Sequence, residues 1–312
     1  MEQTAFISTD RMNIKRKFYG NLSTGISGFA ALVIVAIVVV VITSIIAGGY
    51  KNFTWEFLTQ EPTEGMTAGG IYPAIIGTVI MTLLMSVMAV PLGTVTAIYL
   101  SEYAKPNSVF ARTIRFAVNT LASIPSIVFG LFGLGFFVQF VGKGIDDIFT
   151  PGMLQWGQPN ILWASMTMGL LTLPVVIVSV EEAIRTVPRE VRDASLALGA
   201  TRLQTIRKIV IPGSLSGILT GMILAISRGA GEVAPILFTG AAFFLPHIPH
   251  ALTSQFMHLG YHIYVLSTQS ANVDKTIPLQ YTTTMVLLLL TFTLNITAVI
   301  LRSRLRSKLR SN

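Results

Sequence analysis

The sequence predicts an all-α integral membrane protein with six spans. Three observations carry that prediction. Hydrophobic residues make up 52% of the 312-residue chain and charged residues only 12%. A soluble domain carries about 25% charged residues, so most of this surface must face lipid. Uncharged stretches recur at or beyond the roughly 20 apolar residues that a crossing helix needs. Lysine and arginine then gather in alternate loops, the pattern by which a multi-pass chain sets its orientation. The chain has no cysteine, which excludes disulfide and thiol chemistry.

The elements follow in order. Residues 18–50 are 33 uncharged residues between Lys17 and Lys51, and 65–101 are another 37. Residues 116–142 give 27, 148–180 give 33 with a polar front end, and 276–301 give 26. Residues from 209 onward are apolar to about 244, interrupted by Arg228 and Glu232. These stretches place spans near 25–48, 73–100, 114–141, 161–181, 215–243 and 280–301. The tails and loops between them carry 4, 1, 3, 1, 6, 1 and 5 cations, and Arg228 completes the 22. The basic segments share one side, so both termini are expected in the cytoplasm. The net charge of +8 is thereby read as topology signals and membrane-lipid anchors, and no nucleic acid is expected as a partner. The tail 1–24 precedes the first span, whose apolar core exceeds the 7–15 residues of a cleaved signal. The basic tail 302–312 is read as an anchor on the lipid surface.

Residues 233–273 hold no Asp, Glu, Lys or Arg, enough for a seventh span. That span would invert the last one and put five cations outside, so a short amphipathic helix on the outer surface is expected instead. His258 and His262 lie four apart there. No Glu completes H-E-x-x-H and no cysteine is available, so an exposed helix face is preferred to a metal site. In the third span, Ser123, Pro125 and Ser126 are expected to kink the helix or line a path.

The loop 182–214 is the most informative segment. Pro188 suits a first helical turn, with Glu190 and Asp193 near its positive end. Val191, Ala194 and Leu198 form one apolar stripe. Gly199 ends the helix, a second begins near Thr201, and Pro212 marks the return toward the membrane. A helix–Gly–helix hairpin of this kind either packs on itself or presents a docking surface.

Arg228 and Glu232 lie four residues apart inside an apolar run, flanked by Gly229, Ala230 and Gly231. An arginine at mid-bilayer costs at least about 2.5 kcal/mol and is expected to face a protein interior or watery cavity. The spacing puts both on one helix face. Pro235 leaves the Gly231 carbonyl without a donor and is expected to bend the helix. The pair is either a structural ion pair or a site where Arg228 attracts a crossing anion while Glu232 keeps it from binding too tightly.

Against this background the loop resembles the EAA motif of ABC importer permeases: E-A-A, three residues, Gly, nine residues, I-x-L-P. Here it reads Asp193-Ala194-Ser195, Gly199 and Ile209-Val210-Ile211-Pro212, with Asp for Glu, Ser for Ala and Ile for Leu. The stretches "SRGAGEVAPILFTGAA", "LASIPSIVFGLFGLG" and "HLGYHIYVLSTQSAN" are similar to those of phosphate ABC transporter permeases of the PstA type. The resemblance covers about 70–301. It implies the type I importer permease fold (MetI-like), with 182–214 as the coupling loop. It also implies that Asp193, Ala194, Leu198, Gly199, Ala200, Thr201 and Pro212 pass ATPase motion to the membrane helices.

The implied partners are a second phosphate permease subunit (PstC type), an ATPase dimer (PstB type) and an extracytoplasmic phosphate-binding protein (PstS type). The implied setting is a bacterial or archaeal cytoplasmic (inner) membrane, and His258 and His262 would touch the binding protein. No cofactor is expected on this chain, with ATP and Mg on the ATPase. Its nearest approach to a Walker A loop, "VGKGIDD", lacks the required glycine spacing, so the chain is not expected to be an enzyme. The alternatives are a permease for another oxyanion, such as sulfate or molybdate, or a proton-coupled secondary carrier, which would need no ATPase-docking hairpin.

Overall fold

The structure, a computed structural model, describes residues 2–105, 108–270 and 272–310, with the backbone alone for 2–16, 18 and 305–310. Six helical segments among the described residues are long and apolar enough to cross a membrane. We use "basic end" for the end holding the cation-rich loops and the described termini.

The first helix, α1 (Glu2–Gly49), leaves the basic end, and none of its apolar span is buried. It meets the rest of the chain at its far end. There a Cβ on Gly49 would lie 2.9 Å from the Thr282 amide nitrogen, and the Thr282 hydroxyl donates to the Gly49 carbonyl at 3.0 Å. A short α2 (Trp55–Thr59) is capped by Thr54, whose hydroxyl accepts from the Phe57 N–H. An antiparallel pair of two-residue strands, β1 (Pro62–Thr63) and β2 (Ala68–Gly69), closes this region, with Pro62 opposite Gly69.

Helix α3 (Tyr72–Ile98) returns to the basic end and finishes in a π-helical turn, Tyr99–Tyr103. After α4 (Val109–Ser123) the chain is extended at Ile124 and Pro125 before α5 (Ser126–Phe132). The third span therefore differs from the expected 114–141. Proline rejects helical geometry at the residue before it, so α4 is a separate helix. The membrane-length segment is Ser126–Phe149, made of α5, a π-helical stretch Gly133–Gly142 and α6 (Lys143–Phe149).

The centre of the bundle is α7 (Ile161–Arg185), with 67% of its apolar window buried. Asn160 caps it, its side-chain oxygen accepting from the Trp163 N–H at 2.9 Å. Two short helices follow, α8 (Arg189–Ala197) and α9 (Arg202–Thr205). A π-helical turn, Ile206–Val210, then leads into α10 (Ile211–Gly231). Pro212 does not restart the helix: Arg202–Gly231 is one continuous span. A single proline there sits beside a π turn, whose irregular hydrogen bonding accommodates a missing donor.

The last two helices are α11 (Leu259–Thr268) and α12 (Val273–Arg310). At ten residues α11 is about 15 Å long, too short to cross. It is not a surface helix either, because His258, Leu259, His262, Val265 and Leu266 are buried. Its apolar side packs with Phe57, Ile71 and Val286 at the end opposite the basic one.

Three core clusters run along the α3–α7–α10 axis. Val176, Val180, Ile184 and Val210 pack toward the basic end. Met81, Met85, Phe129 and Met168 fill the middle, and Met257 with Leu259 the far end.

Candidate functional site

Arg228 stands in the last turn of α10, and the helix ends at Gly231. Glu232 is already extended, at φ −81° and ψ 135°. The expected bend at Pro235 is thus a termination, and the span does not continue to 243. The two charges still meet, with Arg228 Nε 3.5 Å from Glu232 Oε1. Their side chains are 43% and 27% exposed in the single chain. Among the described residues no protein acceptor takes a hydrogen bond from the guanidinium. A cation at a helix C-terminus complements the partial negative charge of the last carbonyls, so the pair has a local electrostatic reason to exist. The guanidinium donors nevertheless remain free for a ligand.

Neighbouring residues hold this turn in place. The Ser227 hydroxyl lies within hydrogen-bond reach of both Asn295 Oδ1 on α12 and the Ile223 carbonyl, and its single hydrogen serves one of them at a time. Gly229 faces α3, where a Cβ would lie 2.4 Å from Met85 Sδ. Gly231 opens on free space, on the same exposed side as Arg228.

Beyond Glu232 the chain threads through the protein interior without forming a helix. Such backbone is tolerated at membrane depth only where protein buries it or a cavity bounds it. Here Ile236 is fully buried between Met81, Phe129 and Met168. The Ile236 carbonyl accepts from the N–H groups of Thr239, Gly240 and Ala241. The Thr239 carbonyl accepts from the Asn160 N–H, and Ala242 and Phe256 are tied by an isolated bridge around residue 241. The His258 Nδ1 accepts from the Gly260 N–H at 3.2 Å. Burial pushes His258 down to about 3 and His262 to about 4, so both rings are neutral over the ordinary pH range. An exposed histidine face for a soluble partner is therefore excluded by their burial.

The hairpin of α8 and α9 lies at the basic end, and α8 has no buried residue. Gly199 adopts φ +85° and closes α8. The Gly199 N–H reaches the Leu196 carbonyl and the Ala200 N–H the Ser195 carbonyl, the paired bonds of a glycine-terminated helix. Thr201 opens α9 through reciprocal bonds with Gln204. The Ser195 and Thr205 hydroxyls are 2.9 Å apart and tie the two helices together. Asp193, Ala194 and Thr201 are exposed, Leu198 is 89% exposed, and Ala200 is half-buried. Pro212 lies apart from them, inside the long helix.

The cations of this end do more than signal topology and anchor to lipid, because several are held in ion pairs. Glu181 Oε1 forms an ion pair with Arg115 at 2.6 Å and accepts from Arg185 at 2.9 Å. Arg192 on α8 lies 3.3 Å from Glu102 and donates to the Ile184 carbonyl. Arg202 stacks 5.6 Å from the Tyr103 ring centroid. The hairpin is thereby fastened to the ends of α3 and α7. The Glu181–Arg185 spacing was visible in the sequence, whereas Arg115 and Glu102 are distant in the chain and gave no local signal.

Residues 89–310 match the family described as binding-protein-dependent transport system inner membrane component. The chain belongs to this family. Among curated relatives it is 34% identical over 226 residues to the probable ABC transporter permease protein YqgI of Bacillus subtilis, covering 72% of each chain. It is 33% identical over 230 residues to the phosphate transport system permease protein PstA of Mycobacterium leprae, covering 72% of this chain and 70% of that one. A PstA of Yersinia pestis is 37% identical over 184 residues, 59% of this chain and 57% of that one. Among solved structures, a chain of a bacterial alginate ABC transporter superposes with a TM-score of 0.64 at 14% identity, over 89% of this chain and 94% of that one. A chain of the inward-facing MetNI methionine transporter gives 0.51 at 18%, over 76% and 94%. The fold is that of a type I ABC importer permease, and this family member is a multi-pass inner membrane protein.

Proposed function

We propose that this chain is the permease subunit of an ATP-driven importer of inorganic phosphate. The observation that carries the reading at the site is Arg228, a guanidinium that pairs with Glu232 at 3.5 Å and has no hydrogen bond to the protein among the described residues, at the broken end of a spanning helix. Relatives named as phosphate permeases support the choice of anion. The basic end faces the cytosol, in keeping with the retention of positive loops there. On the exposed side of Arg228 and Gly231 stands a second, related permease subunit of the PstC type, and the anion passes between the two. The α8–α9 hairpin seats in a groove of a PstB-type ATPase dimer, which carries ATP and Mg. A PstS-type binding protein delivers phosphate from outside. Asp193, Ala194, Leu198, Gly199, Ala200 and Thr201 form the contact, and Pro212 lies on the shaft that carries its motion.

The chemistry of the step is electrostatic. With the ATPases closed, the hairpin moves α7 and α10 together and the path opens outward. Arg228 then offers its guanidinium fork to the phosphate oxygens, a geometry suited to bidentate binding. Glu232 limits how tightly the anion is held. It also accepts a hydrogen bond from protonated phosphate and repels sulfate, which has no proton to give near neutral pH.

The test is ATP-dependent uptake of labelled phosphate into vesicles holding the assembled importer. Arg228→Gln is expected to lower uptake at least tenfold with assembly intact. Glu232→Gln is expected to weaken sulfate exclusion. Full uptake by the Arg228 variant rejects the pathway assignment, and unchanged sulfate exclusion rejects the role given to Glu232.

A further inference from the structure

A cavity of about 650 Å³ lies at the basic end, walled by the π turn after α3 and by α4, α7 and α8. Its size falls within the range of small-ligand sites, roughly 300–1,000 Å³. Six cationic side chains and two carboxylates line it. Glu181 is shared by Arg115 and Arg185, and Glu102 faces Arg192. That leaves Lys105, Arg112 and Arg189 on the wall without a carboxylate partner among the described residues. Lipid-facing anchors diverge from one another, whereas these charges converge on one concavity, where like charges repel.

A second observation is independent of the charge count. Arg192 Nε, Ser101 Oγ and Glu102 Oε1 are buried and have no hydrogen-bond partner, and all three residues line this cavity. Buried donors are ordinarily paired. Glu102 Oε1 is held in its ion pair with Arg192 at 3.3 Å, and the two donors are unpaired beside unpaired cations, which is the complement of an anion with several acceptor oxygens.

From these features we infer that the cavity is a binding site for a phosphate-bearing anion, distinct from the transport path. Guanidinium groups on several helices match phosphate oxygens in pairs, and the volume admits more than bare orthophosphate. Arg202 stacks on Tyr103, between the lining residues Glu102 and Ala104, and Arg228 is 26 residues farther along one continuous span, roughly 40 Å at 1.5 Å per residue, so Arg228 serves a separate place. An anion here bridges α8 to α4 and α7, joining the hairpin to the membrane helices. The site stands on its own geometry and does not depend on the transport reading. Orthophosphate in solution and the headgroup of an anionic lipid share the required chemistry.

The test uses the full chain carrying Arg228→Gln, which silences the pathway site, with and without Arg112→Gln and Arg189→Gln. Both of these residues are exposed and unpaired, and circular dichroism checks that the fold is kept. In nanodiscs of phosphatidylcholine, labelled orthophosphate is titrated at low salt. In parallel, native mass spectrometry follows retention of phosphatidylglycerol. Saturable phosphate binding that weakens at least tenfold in the double arginine variant supports the site with a soluble ligand. Phosphatidylglycerol retention lost in the same variant supports it with a lipid headgroup. If neither probe distinguishes the variant from its parent, the inference is wrong.

Discussion

At the scale of single residues, the backbone at Gly199 and the space beside Gly77 have opposite kinds of sensitivity. Gly199 has φ +85° and nothing within 4 Å of a built Cβ. The cost of Gly199→Ala is therefore conformational alone, about 1–2 kcal/mol for a left-handed residue. It should loosen the α8 cap and uncouple ATP hydrolysis from uptake more than it lowers the melting temperature, and Gly199→Asn should fall between. ATPase and uptake rates on the same vesicles decide this, and equal loss of both would contradict it. At Gly77 a Cβ would lie 2.1 Å from the Met257 carbonyl oxygen, a backbone atom that cannot swing aside. Gly77→Ala should fold poorly, because α3 and the stretch leading to α11 must separate, whereas Gly231→Ala meets open space and should melt like the parent. A melting series on the purified chains that ranked these two alike would show that the close approach at Gly77 is not real. Arg228 and Glu232 stood out in the sequence because charge is rare in an apolar run. Glu181 did not, because its partner Arg115 comes from another helix and only folding brings them together.

At the scale of elements, α11 shows what hydropathy cannot reveal. An uncharged stretch with two histidines reads as amphipathic, yet tertiary packing buries both rings. Their folded values, about 3 and about 4, lie below the ordinary 6.5, so the unfolded chain binds more protons between those limits. By linkage, stability is fully present above about pH 6.5 and falls as the pH drops toward 4 and 3. Between pH 6.5 and 5 ordinary carboxylates stay ionised, so a decline there isolates the histidines. The melting temperature should fall across that window, and His258→Asn with His262→Gln should flatten the curve. A parent curve already flat would mean that the rings are accessible in the native state. The hairpin, by contrast, was legible to within a residue: Pro188 sits at the N-cap, one position before the first turn, and it, Gly199 and Thr201 act through local backbone rules that need no tertiary context. The α10 break was half legible. Pro235 signalled trouble, but whether a proline bends or ends a helix depends on what receives the chain beyond it. Here the socket between Met81, Phe129 and Met168 accepts a run of tight turns around Ile236.

At the scale of the whole molecule, six spans and their order were readable because lipid leaves little choice: each crossing must be a long apolar helix. Which helices form the core was not readable, since α1 and α7 are both apolar and only packing distinguishes them. The structure puts α7 at the centre and leaves α1 attached by a glycine contact at one end, so α1 offers its flanks to lipid or to another subunit. The orientation of this bundle follows from charge alone, and the absence of cysteine makes it directly testable. Glu190 on α8 and Asp147 on α6 are both exposed, and they stand at opposite ends of the bundle. Replacing each with cysteine, one at a time, gives a single reporter per chain. In intact cells an impermeant maleimide should label Asp147→Cys and leave Glu190→Cys untouched until the membrane is opened. The reverse pattern would place the hairpin outside, away from any source of ATP, and would remove the ATPase from the mechanism. Labelling of both in intact cells would mean a mixed insertion. In that case the 4, 3, 6 and 5 cations of one face against single cations on the other would be insufficient to orient the chain, and a partner subunit would have to supply the bias.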